Sequence, residues 1–284
     1  HEKTTNEKGE EVSSEATQLQ GMMREAQWKN KNITELYMPG SVFKLVTLIA
    51  AAENIPDLTE RTFRCEQYLD LPGGTVVCTG YHGDLTIEQA LADSCNCVFA
   101  ELALELGSDT IVKTAQRLGV AGSLTLDGAS TASGRVEPAE TGSSDEAWLG
   151  IGQYTDLVTP FSMARLCAAI SNGGTAVTPT LSYGGTGGGA VLMDAETAEY
   201  LGECMSYNVA YGYGRDRFPG LDLCAKSGTA EVGGGLSNAW FVGYLRSGPP
   251  VAFAVMLEKG GGGLLQAGGV ANSVLQTVLE YYSE

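Results

Sequence analysis

The sequence predicts an α/β (α+β) fold, in which an antiparallel β-sheet is flanked by helices and a mainly helical lobe is inserted. Apolar residues recur at helical spacing through the middle of the chain, whereas the part after Gly173 alternates glycine-rich linkers with short β-branched or aromatic runs. A final amphipathic stretch, "SVLQTVLEYY", predicts a closing helix. The predicted sheet therefore takes helices from both ends of the chain.

The first 30 residues are polar and acidic without a sustained apolar period, so residues 1–30 are predicted to be a flexible N-terminal segment. Residues 31–284 are predicted to form the domain, with the helical lobe at about residues 65–165 and the sheet lobe in the remainder. From Ser41 to Glu53 an apolar run predicts a buried helix that Ser41 or Gly40 can cap. Further helices are predicted at "TIEQALADS", "NCVFAELALELG", "SDTIVKTAQRLG" and "TPFSMARLCAAISNGG".

Three short runs after Gly173 predict antiparallel strands: "LDLCAKSG", "AWFVGYL" and "VAFAVMLE". The glycine-rich run "GGTGGG" resembles a phosphate-binding loop only superficially. It has no Gly-Lys-Ser/Thr ending and no helix start after it, so a nucleotide site is not predicted there.

Composition excludes several classes of partner. The net charge of −17 would repel nucleic acid and anionic membrane surfaces, and neither is predicted to bind. The apolar runs are far shorter than the roughly 20 residues that a membrane-spanning helix needs. Since the first residue is His1 and not Met, the chain is interpreted as a processed or recombinant fragment.

Seven cysteines are too few for a disulfide scaffold in a chain of 284 residues, and the odd number leaves at least one free thiol. Cys65 and Cys78 flank a turn-rich "LPGG" and are the pair to test for a bridge. Cys95 and Cys97 have Cys-x-Cys spacing but lack further nearby ligands in the sequence. They are interpreted as partly buried free thiols, and no metal site or cofactor is predicted.

With only His1 and His82 as histidines, neither a zinc hydrolase site nor a Ser-His-Asp triad is easily assembled, so a nucleophile would need lysine as its base. His82 lies in a predicted turn and is interpreted as structural. Ser41 and Lys44 are three apart at the start of the first helix, which places them on one face. The alternative is a capping serine followed by a solvated lysine, but Lys44 lies in an apolar run where a buried charge is usually functional or paired.

Ser94 and Asn96 stand where one helical pattern ends and the next begins, in "ALADSCNCVFAEL". Either residue could be an N-cap. In extended geometry, Ser-x-Asn would instead point both side chains the same way, giving a hydroxyl that relays protons and an amide that holds substrate.

The predicted strand around "LCAKSGTAE" carries a third polar group. Lys226 could supply a cation that lowers the pKa of Lys44, and Gly228 leaves room for a ligand against the strand. Ser227 and Thr229 offer hydroxyls for a carboxylate. The alternative is an edge strand with a polar face.

The three motifs together resemble those of penicillin-binding proteins and serine β-lactamases. The chain is most similar to the transpeptidase domain of class B penicillin-binding proteins, from about residue 31 to 284. The resemblance extends to "YMPGSVFKLVT", "HGDLTIEQALADSCNCVFAELALELG", "IGQYTDLVTPFSMARLCAAISNGG" and "KSGTAEVGGGLSNAWFVGY". Two positions depart from it, since Ser227 stands where threonine is more usual and Cys95 fills the variable middle of Ser-x-Asn.

The resemblance implies a penicillin-binding transpeptidase fold and a D,D-transpeptidase of peptidoglycan stem peptides, which β-lactam antibiotics acylate. Ser41 would be the nucleophile and Lys44 its base, kept neutral partly by Lys226. Ser94 would pass a proton to the leaving amine, and Asn96 would bind the donor peptide. Ser227, Gly228 and Thr229 would line the carboxylate site, and the N–H groups of Ser41 and Thr229 would form the oxyanion hole.

Two other functions are compatible with the same motifs. A serine β-lactamase needs a carboxylate to activate water, and Glu137 and Glu140 are candidates, although surface charge is the favoured interpretation. A β-lactam sensor would keep the fold without transpeptidation. The resemblance further implies action at the extracytoplasmic face of a bacterial membrane, through an anchor absent from this chain, with other cell-wall synthesis proteins as partners.

Overall fold

The computed structural model describes residues 3–5, 11–13, 29–181 and 188–283. Within these ranges the α-helices are α1 (Lys31–Thr34), α2 (Lys44–Asn54), α3 (Ile87–Ala92), α4 (Asn96–Leu106), α5 (Ser108–Arg117), α6 (Ser144–Ile151), α7 (Pro160–Ser171), α8 (Ala195–Tyr207) and α9 (Gly268–Ser283). The strands are β1 (Lys3–Thr5), β2 (Glu11–Ser13), β3 (Phe63–Cys65), β4 (Tyr68–Leu71), β5 (Gly74–Val77), β6 (Gly83–Leu85), β7 (Thr125–Leu126), β8 (Ala129–Ser130), β9 (Thr175–Val177), β10 (Gly189–Val191), β11 (Leu223–Glu231), β12 (Ser237–Leu245) and β13 (Ala252–Leu257).

The first long apolar run forms a buried helix, as predicted, but its start differs from the prediction. A 3₁₀ turn over Gly40–Phe43 leads into α2. The capping position is Pro39 for the turn and Phe43 for the helix, and neither has a side-chain cap. The prediction that Ser41 or Gly40 caps the helix is therefore wrong. The helix ends at Asn54 because Ile55 precedes Pro56 and takes an extended conformation.

Strands β11, β12 and β13 form an antiparallel sheet with β11 at one edge. Alternate residues of β12 enter two different hydrophobic clusters: Trp240 and Val242 pack on one side, and Phe241 packs on the other with Ala271 and Leu275 of α9. Helices α7 and α8 cover the first side. The predicted fold class, an antiparallel sheet flanked by helices, is confirmed.

The lobe between the first helix and the sheet contains α3 to α6, which share the larger hydrophobic cluster with α2. Helices α4, α5 and α6 contact α2, and α3 contacts α4 and α8. It also contains three short antiparallel pairs, β3 with β6, β4 with β5 and β7 with β8, which the sequence patterns did not predict. Strands of two to four residues give too few alternations to be distinguished from loops.

Most of the segment predicted to be flexible, residues 1–30, lies outside the described residues; the described part includes the pairing of β1 with β2. Most of "GGTGGG" also lies outside them. Among the described helices, none is both long and apolar enough to cross a membrane.

Candidate active site

The tight turn that begins α2 exposes Ser41 to a cleft between the lobe and the edge strand. Side chains three apart are eclipsed in a 3₁₀ turn, so Ser41 lies directly one turn before Lys44. Gly40 has a φ of +54°, and a Cβ there would lie 2.9 Å from the carbonyl oxygen of Thr229. Only glycine therefore permits this close approach of the turn to β11.

The cleft has a volume of about 610 Å³ and contains six of the eight predicted site residues in its lining. These are Ser41, Ser94, Asn96, Ser227, Gly228 and Thr229. Lys44 and Lys226 are buried beneath it. Another cleft of about 520 Å³ has an acidic lining that includes Glu53, Asp194 and Glu203, and it contains none of the predicted residues.

Lys44 is completely buried, and its amine contacts the second motif. Its Nζ donates to the carbonyl oxygen of Ser94 at 2.6 Å and to Oδ1 of Asn96 at 2.8 Å, and it lies 3.3 Å from Oγ of Ser94. It also lies 5.3 Å from the centre of the Phe99 ring, a cation–π contact. Burial lowers the pKa of Lys44 to about 8, against an opposing effect of the nearby cysteines.

Lys226 reaches the same serine from β11. Its Nζ donates to Oγ of Ser94 at 3.0 Å and to the carbonyl oxygen of Ser227 at 2.9 Å. Burial and, secondarily, the charge of Lys44 lower the pKa of Lys226 well below its ordinary value. Burial disfavours the charged form of both lysines, whereas the sequence interpretation made Lys226 the cation that keeps Lys44 neutral.

The backbone of the second motif differs from the prediction. Ser94 has a φ of +51°, in the left-handed region that few non-glycine residues adopt, and Asn96 is the first residue of α4. The capping position is Cys95, without a side-chain cap, so the N-cap interpretation of Ser94 and Asn96 is wrong. The left-handed Ser94, instead of an extended segment, is what brings both side chains to Lys44.

The Asn96 amide is held on both sides. Its Oδ1 accepts from Lys44, and its Nδ2 donates to the carbonyl oxygen of Val77 at 2.9 Å. An amide NH₂ has two N–H groups, so one remains available to an acceptor in the cleft.

The outer edge of β11 faces the Ser41 turn. The N–H of Ser227 points away from β12, since it donates to the hydroxyl of Tyr213 at 2.5 Å. N–H groups alternate along a strand, so that of Thr229 points the same way, toward the turn. The hydroxyl of Thr229 accepts from the N–H of Gly263 at 3.1 Å and keeps its own proton for the cleft.

Tyr213 and Gln153 are site residues that sequence reasoning missed. Tyr213 is buried in a π-helical turn, Asn208–Gly214, and also donates to Oγ of Ser227 at 3.0 Å, so it holds the edge strand in place. Gln153 lines the cleft, and its buried Nε2 has no hydrogen-bond partner within the described part of the chain. Neither belongs to the three catalytic motifs, and only the fold brings Gln153 to the cleft and Tyr213 to Ser227.

The other candidates from the sequence are two glutamates and three cysteines. Glu137 and Glu140 are exposed and do not line the cleft, which agrees with surface charge. Cys65 and Cys78 are both free thiols. The interpretation that Cys95 lacks further ligands is wrong, because Cys65, Cys78 and His82 converge on it.

Comparisons with known proteins identify the family and the fold. The family model of the penicillin binding protein transpeptidase domain matches residues 3–280. The peptidoglycan D,D-transpeptidase PbpA of Mycobacterium tuberculosis is 28% identical over 303 residues, covering 95% of this chain and 60% of that protein. The chain thus spans less than two thirds of the length of this relative.

Two solved structures show the same fold. Penicillin-binding protein A from M. tuberculosis, in a ceftriaxone acyl-enzyme complex, has a TM-score of 0.81 at 24% identity, covering 94% of this chain and 67% of that one. The complex between penicillin-binding protein PBP2 and MreC from Helicobacter pylori has a TM-score of 0.79 at 20% identity, covering 94% of this chain and 55% of that one. Because the family model matches nearly the whole sequence, the chain belongs to the penicillin-binding protein transpeptidase domain family.

Proposed function

We propose that this chain is the catalytic domain of a peptidoglycan D,D-transpeptidase that works through an acyl-enzyme on Ser41. The observation that carries the proposal is the position of Ser94, whose Oγ lies within hydrogen-bond reach of both buried lysines beside the cleft that Ser41 lines. That contact joins the three motifs into one proton-transfer network, which acyl transfer by a serine requires when no histidine is present.

In the proposed first step, Oγ of Ser41 attacks the carbonyl carbon of the penultimate D-alanine of a stem peptide. The hydroxyl proton passes to the neutral amine of Lys44, whose low pKa makes that form accessible near neutral pH. Ser94 relays a proton to the leaving nitrogen, the peptide C–N bond breaks, and D-alanine departs. An ester of Ser41 remains.

Donors at the cleft would stabilise the oxyanion and hold the substrate. The outward N–H of Thr229 and the N–H of Ser41 form the proposed oxyanion hole, where each donor typically contributes about 3 to 4 kcal/mol. Ser227 and Thr229, which flank Gly228 on the edge strand, would bind the terminal carboxylate together with Lys226. The free N–H of Asn96 would bind the donor peptide's amide carbonyl.

In the second step, an amine of a neighbouring stem peptide attacks the ester, Ser41 regains its proton, and a cross-link forms. A β-lactam would acylate Ser41 in the same way, since penicillin-binding protein A from M. tuberculosis forms an acyl-enzyme complex with ceftriaxone. We place the reaction at the extracytoplasmic face of the cell membrane, where stem peptides are. Other cell-wall proteins are proposed partners, on the model of the PBP2–MreC complex.

Intact-protein mass spectrometry with excess benzylpenicillin tests the proposal. We expect a persistent adduct of one penicillin on the wild type and on Ser171→Ala, a matched change of an exposed serine at the end of α7, and no adduct on Ser41→Ala. Rapid loss of the adduct with hydrolysed drug would identify a β-lactamase. A stable adduct without release of D-alanine from a D-alanyl-D-alanine peptide would identify a sensor, and the absence of any adduct would contradict the role of Ser41.

A further inference from the structure

Behind the active-site motif, four potential metal ligands from three separate segments converge. They are Cys65 at the end of β3, Cys78 after β5, His82 before β6, and Cys95, which precedes α4. Their ligand atoms all lie within 4.8 Å of one another. We call them the cysteine–histidine cluster.

The spacing within the cluster fits tetrahedral coordination. Sγ of Cys78 lies 3.7 Å from Sγ of Cys95 and 3.6 Å from Nδ1 of His82. Zinc bonds of about 2.3 Å to sulfur and about 2.0 to 2.1 Å to nitrogen give tetrahedral edges of about 3.8 Å for S–S and about 3.6 Å for S–N. The side chains can therefore accept an ion with little movement.

A backbone hydrogen bond supports Cys78 as a ligand. The N–H of Asn96, at the start of α4, donates to Sγ of Cys78 at 3.1 Å. Hydrogen bonds of this kind to a ligand sulfur are the usual outer shell of a metal site.

We propose that the cysteine–histidine cluster binds one structural zinc ion behind Asn96. Three cysteines and one histidine are a zinc ligand set of the closed, structural type, in which no position is left for substrate. Binding displaces the protons of the coordinating thiols and cross-links three segments, two of which border strands of only three residues.

Such an ion would position the Ser-x-Asn motif. Cys95 lies between Ser94 and Asn96, and Cys78 follows Val77, whose carbonyl oxygen accepts from the Asn96 amide. When Cys78 and Cys95 bind the same ion, the backbone of Asn96 and the Val77 carbonyl that accepts from its amide are held in place relative to each other. The proposal goes beyond the transpeptidase activity and does not depend on it.

Metal analysis of the 284-residue chain tests the site without any substrate. The protein is produced with zinc in the medium and purified in reductant without chelator, and zinc is measured by inductively coupled plasma mass spectrometry. We expect about one zinc per chain in the wild type, and its loss in Cys65→Ser and His82→Ala. Cys97→Ala is the matched control, because this buried thiol lies near Cys65 but outside the cluster, and it should retain the ion.

Titration of the metal-free wild type with Co²⁺ is a second test that does not depend on whether variants fold. Sulfur-to-cobalt charge-transfer absorption and the visible bands of tetrahedral cobalt are expected. Chelation should lower the Tm of the wild type and leave that of Cys65→Ser unchanged. A reduced wild-type protein without zinc, retention of zinc in both ligand variants, or a Cys78–Cys95 disulfide in the purified protein would each overturn the proposal.

Discussion

At the scale of single residues, Lys44 and Lys226 are both buried, and the amine of each lies within hydrogen-bond reach of Oγ of Ser94. Two ammonium groups in a site of low dielectric repel each other, so the pair favours a state with fewer than two charges. A neutral amine keeps a lone pair that can take a proton from a hydroxyl. Burial thus supplies what histidine supplies in other serine enzymes.

We predict that acylation by benzylpenicillin accelerates with rising pH and levels off above an apparent pKa of about 8, the value to which burial lowers Lys44. The sign follows because only the neutral lysine is a base, and its fraction grows as pH rises through its pKa. The charged form of Lys226 would lower this pKa, and thiolates of Cys95, Cys78 and Cys97 would raise it.

The measurement is the acylation rate at constant ionic strength between about pH 6 and 10, which brackets this range. Lys113→Ala removes an exposed lysine of α5 and should leave the profile unchanged. A rate independent of pH across that interval would contradict a lysine base.

At the scale of elements, the site depends on how closely β11 approaches the Ser41 turn. A Cβ on Gly228 would lie 3.0 Å from the backbone nitrogen and from Cγ1 of Val42, and 3.1 Å from the carbonyl oxygen of Pro39. Two of these three atoms are backbone, which cannot rotate away. The glycine therefore sets the distance between the nucleophile turn and the proposed carboxylate site.

We predict that Gly228→Ala lowers the free energy of unfolding by about 1 to 3 kcal/mol, the usual cost of overpacking, and slows acylation because β11 moves away from Ser41. Denaturant unfolding and the benzylpenicillin rate measure the two effects. Gly269→Ala in α9 is the matched control, since nothing lies within 4 Å of its added Cβ, and its stability should stay within about 1 kcal/mol of the wild type. Equal behaviour of the two variants would contradict the proposed role of the close approach.

At the scale of the whole molecule, the sequence predicted what local patterns encode. The helix after Ser41 appears because it has a long apolar run, and the β11 strand around Lys226 appears because it belongs to the short runs between glycine-rich linkers. The left-handed Ser94 and the hydroxyl of Tyr213 on Ser227 were not predictable, since both depend on tertiary contacts. The same holds for the cysteine–histidine cluster, whose members lie on separate segments and match no short metal motif.

The net charge of the whole chain, −17, leads to a last prediction. Unpaired carboxylates repel one another in the compact state, and the ion pairs of Arg61 and Arg64 are too exposed to offset this. The screening length falls from about 30 Å at 0.01 M salt to about 8 Å at 0.15 M, so we expect Tm to rise by a few degrees over this range of NaCl. Differential scanning calorimetry at constant pH measures it, with sodium fluoride as the control for anion identity. A Tm that falls with both salts would mean that attractive ion pairs outweigh the repulsion.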